Sequence, residues 1–387
     1  MRRIAAALLL SSLSTAFAAP HLPADDATVL ERLPGRPNDP AMAELRRLRA
    51  ASAAAPQNAD AATRLAQAYF DLANAEGDPR YVGYASAALK PWDGTDDAPA
   101  EVLFTRGLLR QYRHDFADAL KDFELALARQ PAHVAAHAWR AAIFMVQAEY
   151  RAAARECDAL TELASELMST GCLAYIDATT GRTHGAYLRL AAALERRPDA
   201  APETRLWTLT RLAEMAWRLG DTTLAERHFS EALKLGVTDN FLLAAYADFL
   251  LEQGRSKEVV ALLKDWTRSD TLLLRLAQAE KRLGSADAAA HIQALGDRFA
   301  AANLRGERLH MGEEARYLLD LKGNAPAALS VALENWRAEQ REPRDALVVL
   351  EAAVAARDAK AATPVLKWLA ETRFESERMR RAAAALR

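Results

Sequence analysis

Residues 103–160 read LFTRGLLRQYRHDFADALKDFELALARQPAHVAAHAWRAAIFMVQAEYRAAARECDAL. Within this stretch Gly107, Phe116, Ala119 and Phe123 return 34 residues later as Ala141, Tyr150, Ala153 and Cys157. A fixed period of roughly 20–50 residues marks an array of stacked units, because each unit buries its apolar face only against its neighbours. The residue types share one mechanism. Small side chains stand where two helices must touch, a bulky one beside them fills the groove, and Pro131 closes the second helix because proline cannot continue it. The pattern predicts a helix-turn-helix hairpin repeated in tandem, an all-α chain.

Composition agrees with that reading. The chain has 387 residues, 51% hydrophobic and 26% charged, enough apolar surface for a large core and too much for a disordered chain. Alanine, the best helix former and small enough for close helix packing, dominates the apolar set. Strand-type runs of Val, Ile and Thr are nearly absent, so almost no sheet is expected. Fifty Lys plus Arg stand against 52 Asp plus Glu, with no long block of one sign. That balance lacks the basic footprint of a nucleic-acid binder, and no nucleic-acid partner is expected.

The N-terminus reads as an export signal. Met1, Arg2 and Arg3 precede the apolar run 4–10, a Ser-rich stretch, and Ala16, Phe17, Ala18 in an A-x-A arrangement. Residues 1–18 are therefore expected to be a signal peptide, cut after Ala18 or Ala19; the alternative is an uncleaved membrane anchor. Cleavage would leave the protein periplasmic or secreted, as in an exported bacterial protein, with no stable membrane insertion. Pro20, Pro23, Pro34, Gly35 and Pro37 then interrupt any helix, so 19–39 is expected to be a flexible leader. Residues 40–387 hold the repeats, with capping helices at both ends.

The first cap starts at Pro40 and carries Met42, Leu45 and Leu48 on one face. Leu65, Ala66 and Tyr69 open the first hairpin, whose connection passes through Gly77, Asp78 and Pro79. After the defining pair come Leu173, Gly181, Ala186 and Leu190, then Leu212, Gly220, Ala225 and Phe229. Gly254 lies 34 residues beyond Gly220, whereas Gly284 follows only 30 later, which predicts a clipped helix before Gly284. Gly323 and Asp358 mark two more turns. The last helix, over 376–386, carries Glu377, Arg378, Arg380 and Arg381, charges suited to a face in water.

Leu103, Gly107, Ala119, Phe123, Ala126, Leu127 and Pro131 match the tetratricopeptide pattern W-x2-L-G-x2-Y, A-x3-F and P, and over 61–369 the chain resembles that family. Arg106 and Arg110 depart from it, standing where apolar residues are usual, which predicts a less regular first helix in that unit. The resemblance implies an α-solenoid, a superhelix of stacked antiparallel hairpins whose first helices line a concave groove. By it Phe104, Leu108, Tyr112, Met145, Tyr175, Trp207, Trp217, Arg218 and Phe241 become candidate groove residues, although each is also a candidate for core. Trp207 and Trp217 with Arg218 form the favoured patch, since aromatic and Arg residues anchor binding sites. The implied partner is a protein or extended peptide. The family's Lys, Asn and Arg peptide clamp is not found, so a ligand ending in a carboxylate is not implied.

Cys157 and Cys172 are the two cysteines, each about seven residues from a turn near Ala164 and Ser165. Equal distance from the loop of an antiparallel pair means equal height, so the spacing predicts a disulfide; the alternative is two buried thiols. His133 and His137, four apart, are expected to straddle a helix boundary and serve in packing. His310, Glu313, Glu314 and Arg316 share one turn and read as a structural ion-pair cluster. No H-E-x-x-H, G-x-S-x-G or Gly-rich phosphate loop occurs, so no catalytic residue, metal or cofactor is assigned. The functional expectation is a non-enzymatic scaffold in the periplasm, with an envelope assembly or secretion complex as its setting. The alternative is an envelope-polymer-acting enzyme of the lytic transglycosylase type, with Glu313 or Glu314 as its acid.

Overall fold

The computed structural model describes Asp25 and residues 40–387, so the expected signal peptide and nearly all of the 19–39 leader lie outside the described residues. Two compact units divide the chain, Met1–Glu44 and Leu45–Arg387, and the hairpins belong to the second. Helix α1, Pro40–Ala54, crosses the division, with Leu45 and Leu48 buried.

Nine hairpins follow among the described residues. Helices α2 (Ala59–Glu76) and α3 (Arg80–Ala88) form the first, α4 (Ala100–Tyr112) and α5 (Phe116–Arg129) the second. The third and fourth are α6 (Val134–Val146) with α7 (Tyr150–Leu163), and α8 (Glu166–Thr179) with α9 (Thr183–Glu195). Next come α10 (Pro202–Arg218) with α11 (Thr222–Lys234), α12 (Asn240–Glu252) with α13 (Ser256–Leu263), and α14 (Asp270–Leu283) with α15 (Ala288–Leu304). Helix α16 (Met311–Arg316) widens into a π-turn over Tyr317–Leu321 before α17 (Ala325–Arg337). Helices α18 (Pro343–Ala356) and α19 (Thr363–Thr372) make the last hairpin, followed by α20 (Glu377–Ala384). No strand occurs among the described residues. The architecture is an all-α solenoid of antiparallel hairpins.

The recurring small residue has a steric cause. A Cβ built on Gly107 would come 2.6 Å from the ring of Phe123, which is wholly buried. Gly107→Ala is therefore expected to destabilise the protein by about 1–3 kcal/mol, the usual cost of overpacking a tight core. Urea denaturation of the purified variant measures this, and a midpoint equal to wild type would refute the argument. The tight exits are not all glycine. Gly220 and Gly254 have φ of 86° and 73°, but in the defining pair the left-handed positions are His114 and Ala148, at 62° and 61°.

Three local expectations are corrected. Helix α14 before Gly284 has its full 14 residues, and the shortened element is α13, with 8. Helix α4 runs unbroken for 13 residues despite Arg106 and Arg110. Both turn inward onto Asp122 of α5: Arg106 grips it through Nε at 2.9 Å and a terminal nitrogen at 2.6 Å, and Arg110 adds a third bond of 2.7 Å. Arg106 also donates to the carbonyls of Trp92 and Thr95, each at 2.8 Å, which fastens the 89–99 connection. On α20, Arg378 is only partly exposed and turns back on the hairpins, pairing with Glu351 at 2.6 Å and reaching Glu252 at 3.4 Å.

Cys157 and Cys172 are joined across α7 and α8, with their Cα atoms 5.5 Å apart. The bond closes a sequence separation of 15, worth about 3 kcal/mol where it restricts the unfolded chain.

Within Leu45–Arg387 the hairpin stack returns on itself. The Arg341 N–H donates to the Val146 carbonyl at 2.8 Å, and Gln147 Nε2 donates to Glu339. The Trp368 indole donates to the Tyr150 hydroxyl at 2.8 Å, and the Thr183 N–H donates to Glu375 at 2.8 Å. Hairpins about 190–220 positions apart thus touch. A quasi-one-dimensional array has contacts between neighbours only, so these bonds are an addition to the repeat principle.

Candidate functional site

The groove candidates separate into two groups. Phe104, Leu108 and Met145 are buried between helices, and the Phe104 ring lies 5.7 Å from Phe123 and 4.5 Å from His133. They are packing residues. Tyr112 is half-buried, edge-on to Phe70 at 6.3 Å, and burial pushes its phenol up to about 12. Trp217 stands edge-on to Phe249 at 5.7 Å, and its indole donates to Glu252 at 3.0 Å.

The second group converges. Tyr175 of α8, Trp207 of α10 and Phe241 of α12 are all half-buried and surround one guanidinium, that of Arg211. Its central carbon lies 4.3 Å from the Tyr175 ring centre, 4.5 Å from Phe241 and 5.6 Å from Trp207. Such contacts are worth roughly 0.5–2 kcal/mol each, most where water is excluded. Arg211 also donates to Glu214 at 2.8 Å, while its Nε is buried with no acceptor. From α18, Arg344 approaches the Phe241 ring at 6.0 Å. Gly171 seats the cluster, since a Cβ there would lie 2.5 Å from the Trp207 ring.

Arg211 was not among the sequence candidates. The signal was present: 207, 211, 214 and 218 follow helical spacing, so Trp207, Arg211, Glu214 and Arg218 share one face of α10. An Arg on an amphipathic helix is ordinarily a solvated residue, so its type alone does not mark it as the centre of a cluster.

The segment 373–378 lies against this face. Arg218 spreads its guanidinium over Phe374 at 4.5 Å, and the turn at Gly181 leaves no room for a side chain, a Cβ there falling 2.9 Å from the Arg373 carbonyl. Arg378 and Arg316 both grip Glu351, so Arg316 serves α18 and not the His310 and Glu313 cluster predicted around it. Glu314 accepts instead from Asn303 at 2.9 Å. Burial opposes ionisation of Glu313, yet His310, Arg344 and Arg275 together hold its carboxyl below the ordinary range. Burial pushes the His114 imidazole down to about 4, with His310 adding to the effect. Asp345 moves the other way, its carboxyl raised by burial and by Glu342 and Glu313; it accepts from Asn335 at 2.9 Å and from the Glu342 N–H at 3.1 Å.

His133 caps α6, its Nδ1 accepting from the Ala136 N–H at 3.2 Å, and His137 lies within that helix, as its boundary position predicts. The sequence spacing hid an acidic partner, Glu156, which lies 2.7 Å from His137 and 2.9 Å from Arg140. Among the described residues no group of three His, Cys, Asp or Glu is placed to hold a metal ion, and no helix is long and apolar enough to cross a membrane. A cleft of about 330 Å³ opens where the distant hairpins meet, lined by Tyr150, Trp336, Trp368, Arg341 and Lys367.

No protein-family model matches the sequence, and no curated protein is similar to it. Solved structures that are similar include yeast Tom70, at 11% identity over 89% of this chain and 85% of that one, with a TM-score of 0.41. The TPR domain of P58(IPK) gives 15% identity over 89% and 92%, with a TM-score of 0.23. Naa15/Naa10 bound to HypK-THB gives 15% over 90% of this chain and 56% of that one, with a TM-score of 0.30. The helical-repeat architecture stated above rests on this chain's own hairpins.

Proposed function

We propose that this protein is a non-enzymatic scaffold that binds a protein or extended peptide along the inner face of its hairpins, in the periplasm or outside the cell, as part of an envelope assembly or secretion complex. The observation that carries the reading is the half-buried cluster of Tyr175, Trp207, Arg211 and Phe241 with the exposed Arg344 at its edge, drawn from four helices onto one face. Large aromatic and Arg side chains held by packing, yet still reachable, are what binding hot spots are made of. Their rotamers are already fixed, so a ligand meets a small ordering cost.

An acid-catalysed attack on an envelope polymer needs a carboxyl that keeps its proton near neutral pH. Glu313 is held in the opposite direction. The scaffold reading is tested by cross-linking cell envelopes that carry the wild-type protein or Phe241→Ala. The expected result is one discrete partner captured by wild type, with at least tenfold less by the variant. Equal capture by both, or none at any cross-linker length, would remove the reading.

A further inference from the structure

Arg218, on the same face of α10 as Arg211, has no hydrogen-bond acceptor among the described residues. Its guanidinium carbon sits 4.5 Å from the centre of the Phe374 ring, its Nε is buried without an acceptor, and among the described residues no carboxylate or carbonyl accepts from it. Burial also holds its pKa below the ordinary arginine value. A half-buried guanidinium whose Nε is buried without an acceptor is incompletely satisfied, and a carboxylate arriving at its terminal nitrogens would add charge-assisted bonds. A cation–π contact occupies no carboxylate or carbonyl acceptor, so the terminal N–H donors stay available for a planar anion.

Two turns away on the same helix, Arg211 repeats the arrangement, with its faces on Tyr175 and Phe241, one terminal nitrogen on Glu214 and a buried free Nε. Seven residues of α-helix return a side chain to nearly the same face about 10 Å along the axis. The neighbouring acids are already engaged: Glu214 accepts from Arg211, and Glu375 accepts from the Thr183 N–H.

We propose that Arg211 and Arg218 form a two-point carboxylate receptor that takes acidic side chains three residues apart on a peptide in polyproline II conformation. The spacing fits that ligand. A polyproline II chain rises about 3.1 Å per residue with three residues per turn, so acidic side chains at i and i+3 leave one face about 9 Å apart. In a β-strand the same two positions point to opposite faces. The aromatic rings beside each Arg suit the proline-rich faces of such a chain. This inference rests on the binding reading of the inner face and adds the chemistry of what is bound.

The probes are blocked peptides without free carboxyl termini: acetyl-Pro-Glu-Pro-Pro-Glu-Pro-amide, its Gln counterpart, and acetyl-Pro-Glu-Pro-Glu-Pro-amide with the acids two apart. Titration of the full chain, read by tryptophan fluorescence, is expected to favour the first at least tenfold over the other two. Arg218→Gln or Arg211→Gln is expected to weaken it about tenfold, and glutarate to compete at least tenfold less well than the peptide. If Arg218→Gln does not fold, Arg218→Lys keeps the charge, removes the planar fork and is expected to lose several-fold. Equal affinity for the Glu and Gln peptides, indifference to acid spacing, equal competition by glutarate, or full affinity in a folded Arg218 variant would each overturn the proposal. A cellular partner retained in full by Arg218→Gln overturns the carboxylate receptor alone and leaves the scaffold reading standing.

Discussion

Replacing Asp122 by alanine is expected to destabilise the protein by about 3–5 kcal/mol, the range for breaking a buried ion pair by removing one partner. Asp122 is wholly inaccessible and accepts three bonds from two arginines. Arg106 is nearly as buried, with 8% of its side chain exposed, and without the carboxylate its charge stays desolvated. Arg110, at 23%, can turn out toward water, so the loss is mostly that of Arg106. Urea denaturation with an unchanged slope measures the effect, and a loss below about 1 kcal/mol would show that the pair is incidental. Exchanging Arg106→Met together with Asp122→Leu is expected to recover most of the loss, since a buried ion pair and an apolar pair of similar volume are often close in energy. The double variant would also free the 89–99 connection, because Arg106 holds the Trp92 and Thr95 carbonyls.

Trp368→Ala is expected to cost a similar amount, about 3–5 kcal/mol for deleting a buried aromatic side chain. Trp368 is 6% exposed, 5.8 Å from Trp336 and 5.6 Å from Phe374, and its indole reaches the Tyr150 hydroxyl. Two effects combine, loss of apolar burial in the last hairpin and loss of a hydrogen bond to a hairpin far away in sequence. Trp368→Phe separates them. It keeps most of the ring packing and removes the donor, for an expected cost of about 1 kcal/mol. Amide hydrogen exchange in the alanine variant should rise where α7 begins and across α19, and stay unchanged in the α10–α11 hairpin. Uniform loss of protection over the whole chain would contradict a local meeting of distant hairpins.

How much of this the sequence disclosed follows from what a repeat encodes. Gly107 and Phe123 were legible as a touching pair because their identity recurs at a fixed period, and the structure supplies the distance behind the pattern. Cys157 and Cys172 share a level because a turn lies midway between them, a local matter. The tight exits at His114 and Ala148 were hidden, since neither residue type advertises a left-handed backbone. Arg106 and Arg110 looked like departures from a pattern because their partner, Asp122, sits on the other helix of the hairpin. Arg211 was overlooked beside Trp207, although helical spacing put both on one face. The meeting of Trp368 with Tyr150 had no local trace at all. A period specifies what adjacent units must do to one another and is silent about units six places apart.

The disposition of those late bonds bears on how the chain reaches its final state. Tyr150 waits for a tryptophan 218 positions downstream, and the Thr183 amide for a glutamate 192 positions away. Local hairpins close in microseconds, whereas joining such remote partners must first overcome a long loop's entropy. As the chain emerges from a ribosome, the early hairpins can pack on one another while aromatic surface near Tyr150 stays uncovered until the last helices arrive. The final fifty residues therefore act as a latch, and a chain cut short before Trp368 would keep its helices and leave that patch open to other proteins.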